Sequence, residues 1–341
     1  MQQKPEQRVV YLDLLRILAT LAVIYLHVVS DEFHDFSFSW NWYCALTTDS
    51  LVRWCVPVFV MISGALFLDQ RKSVSYTDIL TKYVYRLLFV YVFWTIVYFL
   101  LIDNREGFSL MQSLKRLLQS HFHLWFLPML AGVYLLIPLM RKIVLDRKLL
   151  FYILVIWAVY VHYSFYPFTA AYKLVDHFSS LFTMNMVIGF CGYFMLGYYL
   201  SQHDFRNKQK VLVYVVGIIA FLFTIGGSYY FSRRYGEGNE RCFSYLSLHV
   251  AAAAVFVFVL VKGIAPKCGT LILRFVEFVR KDLFGIYLIH ALWLPVINTY
   301  PIRHCCNVLV TMPIISIVIF ILSLIATKLI RQIPVLRQVV E

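Results

Sequence analysis

The chain has 341 residues, of which 61% are hydrophobic and 14% charged, and its mean hydropathy is +0.73. That composition excludes a water-soluble globular domain and points to an all-α, polytopic membrane protein, one membrane-embedded domain filling residues 1–341 with no fused soluble domain. The formal net charge of +13 fits basic loops facing anionic membrane lipids, so no nucleic-acid partner is expected.

Windows of about 17–25 apolar residues predict ten transmembrane helices, near 9–29, 51–68, 83–102, 123–140, 149–166, 181–200, 211–231, 245–264, 283–300 and 308–329. The first, YLDLLRILATLAVIYLHVV, holds Arg16 and His27 inside its apolar run. Arg16 interrupts that run and no small-x-small cleavage site follows, so it reads as a retained span rather than a secretory signal. Eleven residues at about 100° each bring Arg16 and His27 back to nearly the same face, roughly 16 Å apart along the axis. A guanidinium in hydrocarbon costs several kcal/mol, so it faces a protein interior or a water-filled path. The structural alternatives are snorkelling of Arg16 to the interface and a salt bridge with Asp13.

The second span, SLVRWCVPVFVMISGALFL, runs back and sets Arg53 and Pro57 level with His27. Ser63-Gly64 lies deeper, where small residues let another helix or a ligand approach the backbone; helix packing is the favoured reading. The connections near 30–50 and 103–122 read as long outside loops that shape a mouth or lid. His123 and Trp125 stand at the outer entrance of the fourth span. The tryptophan reads first as an interfacial anchor and second as a stacking surface for a sugar. His290 lies about two turns into the ninth span, with Tyr287 one turn earlier on the same face.

Loop charge orients the bundle. With the N-terminus inside, Arg105, Lys115, Arg116, Lys173, Arg233, Arg234, Arg241 and Arg303 fall in outside loops, eight in all, against nineteen lysines and arginines in inside segments. This positive-inside bias places both termini in the cytoplasm. The seven cysteines show no metal-type spacing, and no metal is expected. Cys44, Cys242, Cys305 and Cys306 fall in outside loops where a disulfide is permitted, with the pairing open.

R-x10-H in the first span, followed by R-x-x-V-P-x-F-x-M-I-S-G in the second, resembles acyltransferase family 3, bacterial integral-membrane O-acyltransferases acting on surface or secreted glycans. Tyr85-Arg86-Leu87-Leu88 with Trp94, His123-Leu124-Trp125-Phe126-Leu127 and Phe284-Gly285-Ile286-Tyr287-Leu288-Ile289-His290 extend the likeness in the expected order from residue 11 to 290. Val60, Ala65 and Val90 depart from the family pattern at packing positions. The resemblance implies a multi-pass protein of the bacterial inner membrane that moves an acyl group, acetyl above all, to a hydroxyl of a cell-surface or exported glycan or glycolipid. Acetyl-coenzyme A is then the cosubstrate, with no tightly bound cofactor. His27 is the expected general base, with Arg16 and Arg53 supporting the reaction. Arg16, Arg86, Tyr287 and His290 are the expected donor contacts, and Trp125, His123 and Ser63 the expected acceptor contacts. Export of a polysaccharide or acyl donor without catalysis is the alternative reading.

Overall fold

The computed structural model describes residues 10–103, 110–165, 185–298 and 307–341; among these, every regular element is helical. α1 spans Val10–His34, α2 Trp40–Val52 and α3 Cys55–Phe67, and Tyr76–Ile102 forms α4. Beyond α5 (Leu110–Gln119), the pair α6 (Phe126–Leu135) and α7 (Ile137–Ile143) bends by 55° at its junction. The chain continues through α8 (Arg147–Phe165), α9 (Asn185–Gln202), α10 (Asn207–Tyr235) and α11 (Leu248–Lys267). It ends with α12 (Thr270–Val279), α13 (Leu283–Ile289), α14 (Trp293–Asn298), α15 (Val308–Arg331) and α16 (Pro334–Arg337).

Among the described residues, six helical stretches are long and apolar enough to cross a membrane: α1, α2 with α3, α4, α10, α11 and α15. The bent α6–α7 pair makes a seventh if it counts as one span. This is a multi-pass helical membrane protein, and among the described residues that measure finds six or seven of the expected spans. Two predicted spans depart from that measure for local reasons: α8 opens on Arg147-Lys148, and the ninth predicted segment is interrupted by a tight turn at His290–Leu292. Pro295 sits in the first turn of α14, where its missing N–H costs least and a new helix start is favoured.

Two expected loops are largely helical. α1 continues through Asp31 and Glu32 to His34, and α2 starts at Trp40, where the Ser39 hydroxyl accepts from the Trp42 amide at 3.2 Å. The long helix then breaks at Arg53-Trp54, with Pro57 tolerated in the first turn of α3. α5 likewise occupies much of 103–122. Cys44 and Cys242 are therefore not in open loops; both are buried free thiols, and Cys305 and Cys306 lie outside the described residues.

α1 is the central element: 67% of its most apolar window is buried inside the protein, against 22% for α4 and for α10, which turn most of their surface outward. α3 and α9 meet backbone to backbone. A Cβ at Gly64 would fall 1.7 Å from the Phe194 carbonyl oxygen, and one at Gly197 would fall 2.0 Å from that of Met61. Small residues that admit such approach hold helices together in lipid, where burial of apolar surface gives no drive. At the end of the bundle where α1 begins, Arg141 of α7 donates to the carbonyls of Phe67 (2.6 Å) and Lys72 (2.7 Å), pinning the turn after α3. The tail after α15 folds back, with the Trp94 indole donating to the Val339 carbonyl at 2.8 Å.

Candidate active site

Because α1 is one unbroken helix from Val10 to His34, the predicted register of Arg16 and His27 is realised. Each opens into a different cavity. The inner chamber, toward the Val10 end, has a volume of about 380 Å³ and is lined by Arg16, Ser63, Tyr83, Arg86, Tyr134, Arg280, Lys281 and Glu341 among others. The outer chamber has about 30 Å³ and is lined by Val23, Leu26, His27, Val56, His123, Trp125 and Tyr245. Phe59, Phe126 and Tyr287 line both. Their rings form a continuous row, with centroids 6.1 Å apart for Phe59–Phe126 and 5.8 Å for Phe126–Tyr287.

The inner chamber is basic. Arg16 keeps the contact with Asp13 that its spacing allows (3.2 Å), yet its side chain remains 35% exposed. Glu341 is the counter-charge, held by Arg331 and Arg337 at 2.8 Å each. Burial alone would raise the Glu341 carboxyl, but hydrogen bonds from Arg337 and Arg331 outweigh it and hold the group below its ordinary value. Arg331 also pairs with the buried Asp282, which Lys328 approaches to 2.9 Å. Sequence reasoning counted Arg280 and Lys281 only as loop charges. Their one available signal was their place just before the Phe284–His290 motif.

The outer chamber is a histidine site. His290, fully buried, stacks on His27 with ring centroids 5.4 Å apart and planes 23° apart, and meets His123 edge-on at 5.1 Å. His290 Nδ1 lies 2.5 Å from the Tyr287 carbonyl oxygen. A carbonyl only accepts, so Nδ1 carries a proton and the Nε2 of the neutral ring is left as an acceptor. Among the described residues that Nε2 and both ring nitrogens of buried His123 have no hydrogen-bond partner. Tyr287 donates its hydroxyl to the His123 carbonyl at 2.5 Å, and Tyr98 donates to that of Leu288 at 2.7 Å, which ties α13 to the turn before α6 and to α4. That turn follows Ser120, whose φ of 55° puts a non-glycine residue in the left-handed region.

His121, which the sequence reading passed over, joins this group: its ring lies flat on Tyr98 at 4.3 Å and 5.5 Å from His123. The His-x-His spacing was the signal. Among the described residues no group of three or more His, Cys, Asp or Glu is disposed to hold a metal ion.

The other expected residues are placed as follows. Trp125 faces the outer chamber and stacks on Tyr245 (6.0 Å, 24°). Ser63 borders the inner chamber and its hydroxyl donates to the Phe59 carbonyl at 3.1 Å. Arg86 is exposed on α4 and reaches the inner chamber, whereas His290 lies with the outer histidines. Arg53 is buried and engaged. Its guanidinium is 2.5 Å from Asp49 and 3.8 Å from Glu240, and it lies 3.9 Å from the centre of the Phe243 ring. It does not line the outer chamber.

A family model described as an acyltransferase domain (acyltransferase family 3) matches residues 9–330. The chain belongs to this family of membrane acyltransferases. Its relatives include proteins of Staphylococcus aureus strains MSSA476, MW2 and N315, each named "Probable poly-beta-1,6-N-acetyl-D-glucosamine export protein". Each is 23% identical over 266 residues, covering 74% of this chain and 72% of the relative. No solved structure matches.

Proposed function

We propose that the protein carries an acyl group, acetyl above all, from acyl-coenzyme A at the cytoplasmic face to a hydroxyl of an exported or surface glycan or glycolipid. The observation that carries this reading is the pair of chambers on α1, with Arg16 facing one, His27 the other, and three shared rings between. In this arrangement the chain crosses the bacterial inner membrane ten times, as one domain with both termini in the cytoplasm. Reporter fusions at Asp146 and Asp204 then read inside, and fusions at Phe36 and Gly238 read outside. An inside reading at Phe36 would put His27 at the wrong face.

Arg16, Arg86, Arg280 and Lys281 hold the donor's phosphates in the inner chamber, as fixed cations do for anionic groups. The pantetheine arm extends along α1 toward the rings. His27 takes the proton of the acceptor hydroxyl as its oxygen attacks the thioester carbonyl, forming a C–O bond and a tetrahedral oxyanion. Collapse breaks the C–S bond, and the imidazolium returns its proton to the departing thiolate, giving the ester and free coenzyme A. Arg53, committed to Asp49, acts on the oxyanion as a nearby positive field. His123 and Trp125 contact the acceptor: the chamber admits the attacking hydroxyl alone, and the sugar ring stays at its rim, stacked on the tryptophan.

The names of the relatives favour a second reading, glycan export without chemistry. Reconstituted protein supplied with acetyl-labelled coenzyme A and β-1,6-linked N-acetylglucosamine oligomers separates the two. Acyl transfer releases free thiol in step with labelled glycan. Glycan movement across the vesicle wall with no thiol released would establish export instead.

A further inference from the structure

We propose that Phe59, Phe126 and Tyr287, with the small chamber behind them, gauge the acyl group: they pass a short uncharged acyl such as acetyl and turn away longer or carboxylate-bearing ones. This rests on the acyl-transfer reading and specifies its donor.

Size makes the first part of the case. The outer chamber's 30 Å³ is room for about two water-sized groups. Acetyl, with one methyl beyond its carbonyl, is on that scale; butyryl and succinyl are not. The rings also have little freedom to make way. Tyr287 is pinned by its 2.5 Å hydrogen bond to the His123 carbonyl, and Phe126 lies between Tyr287 and Phe59. Phe59 is mounted on α3, which Gly64 locks against the α9 backbone. Longer chains would have to overpack a closed row of aromatic rings, which interiors resist.

Charge makes the second part. Neither lysine nor arginine lines the outer chamber, and Arg53 nearby is occupied by Asp49. A succinyl carboxylate would arrive there as a buried, unpaired anion, which is far costlier than a longer neutral chain.

The test compares acetyl-, butyryl- and succinyl-coenzyme A with one acceptor, in wild type, Phe126→Ala and the milder Phe126→Leu. Selectivity is read as a ratio of kcat/KM values, so a partly misfolded preparation does not change it. Wild type is expected to favour acetyl over butyryl by about tenfold or more. Phe126→Ala is expected to raise the butyryl-to-acetyl ratio at least severalfold, with Phe126→Leu between, while succinyl stays excluded in all three. Equal use of acetyl and butyryl by wild type, or an unchanged ratio in both variants, overturns the gauge and leaves acyl transfer standing. A succinyl rate that rises with butyryl in Phe126→Ala overturns the charge argument. Absence of transfer from every donor removes the underlying reading together with the gauge.

Discussion

The two chambers differ in charge as much as in size. About 380 Å³ bordered by Arg16, Arg86, Arg280 and Lys281 lies on one side of the three rings, and about 30 Å³ bordered by His27 and His123 on the other. The same helix serves both. In the proposed reaction, permanent cations stand where the polyanionic donor is held, and imidazoles, which exchange protons near neutrality, stand where the proton moves. The cost of placing Arg16 among apolar side chains is thus confined to the wider, more open chamber. No lysine or arginine lines the narrow one, and the nearest guanidinium, that of Arg53, is paired with Asp49.

The largest expected effect tests the outer chamber. His27→Gln, which keeps a hydrogen-bonding side chain but removes the base, should lower acyl transfer by at least about 10²-fold while donor affinity stays unchanged. Wild-type turnover in this variant would shift the base to His290 or His123 and erase the chemical contrast. Next comes the inner chamber. Arg16→Ala and Arg86→Ala should each weaken acetyl-coenzyme A binding by roughly ten- to a hundredfold, about 1.5–3 kcal/mol for a charge-assisted contact. Calorimetry that finds both affinities intact would return Arg16 to its ion pair with Asp13.

A smaller effect sharpens the acceptor side. Trp125→Ala should raise the acceptor KM by about two- to tenfold, the scale of one stacking contact. Donor KM should not move, since Trp125 borders only the outer chamber. The smallest expected effect is at Glu341. Its carboxyl is held below the usual value, so its pairing stabilises the fold above the ordinary carboxylate range and is lost as pH falls through the lowered value. Half-exposed pairs of this kind are worth about 0–1 kcal/mol. Glu341→Gln should therefore shift thermal stability slightly at neutral pH and flatten its acid dependence. A loss of several degrees would make the tail a structural element of the inner chamber.

Much of this was legible from local pattern. Helical class followed from composition, and the Arg16–His27 register needed only the helix repeat. The close approach at Gly64 was visible as Ser63-Gly64 in an apolar run. What escaped was long-range or geometric. Arg280 and Lys281 share a chamber with Arg16 because α13, which follows them, packs on α1 from the far end of the chain, and no local period encodes that. The stretches 30–50 and 103–122 read as loops because acidic and polar residues broke the apolar windows, although helices α1, α2 and α5 run through them. Arg53 was expected level with His27, and Asp49, one turn earlier, takes its guanidinium. That pairing was open to an i, i+4 reading of the sequence.

The unequal burial of α3 and α4 has a mechanical consequence. Phe59 and Ser63 ride on α3, fastened to α9, whereas Tyr83 and Arg86 ride on α4, which turns most of its surface outward. One wall of the inner chamber is thus anchored to protein and the other leans on the acyl chains of the bilayer. Thickness and lateral pressure act on helices of the second kind through tilt. In the proposed reaction, lipid composition therefore acts on the donor chamber through Tyr83 and Arg86, and on the histidine side through Tyr98 of the same helix.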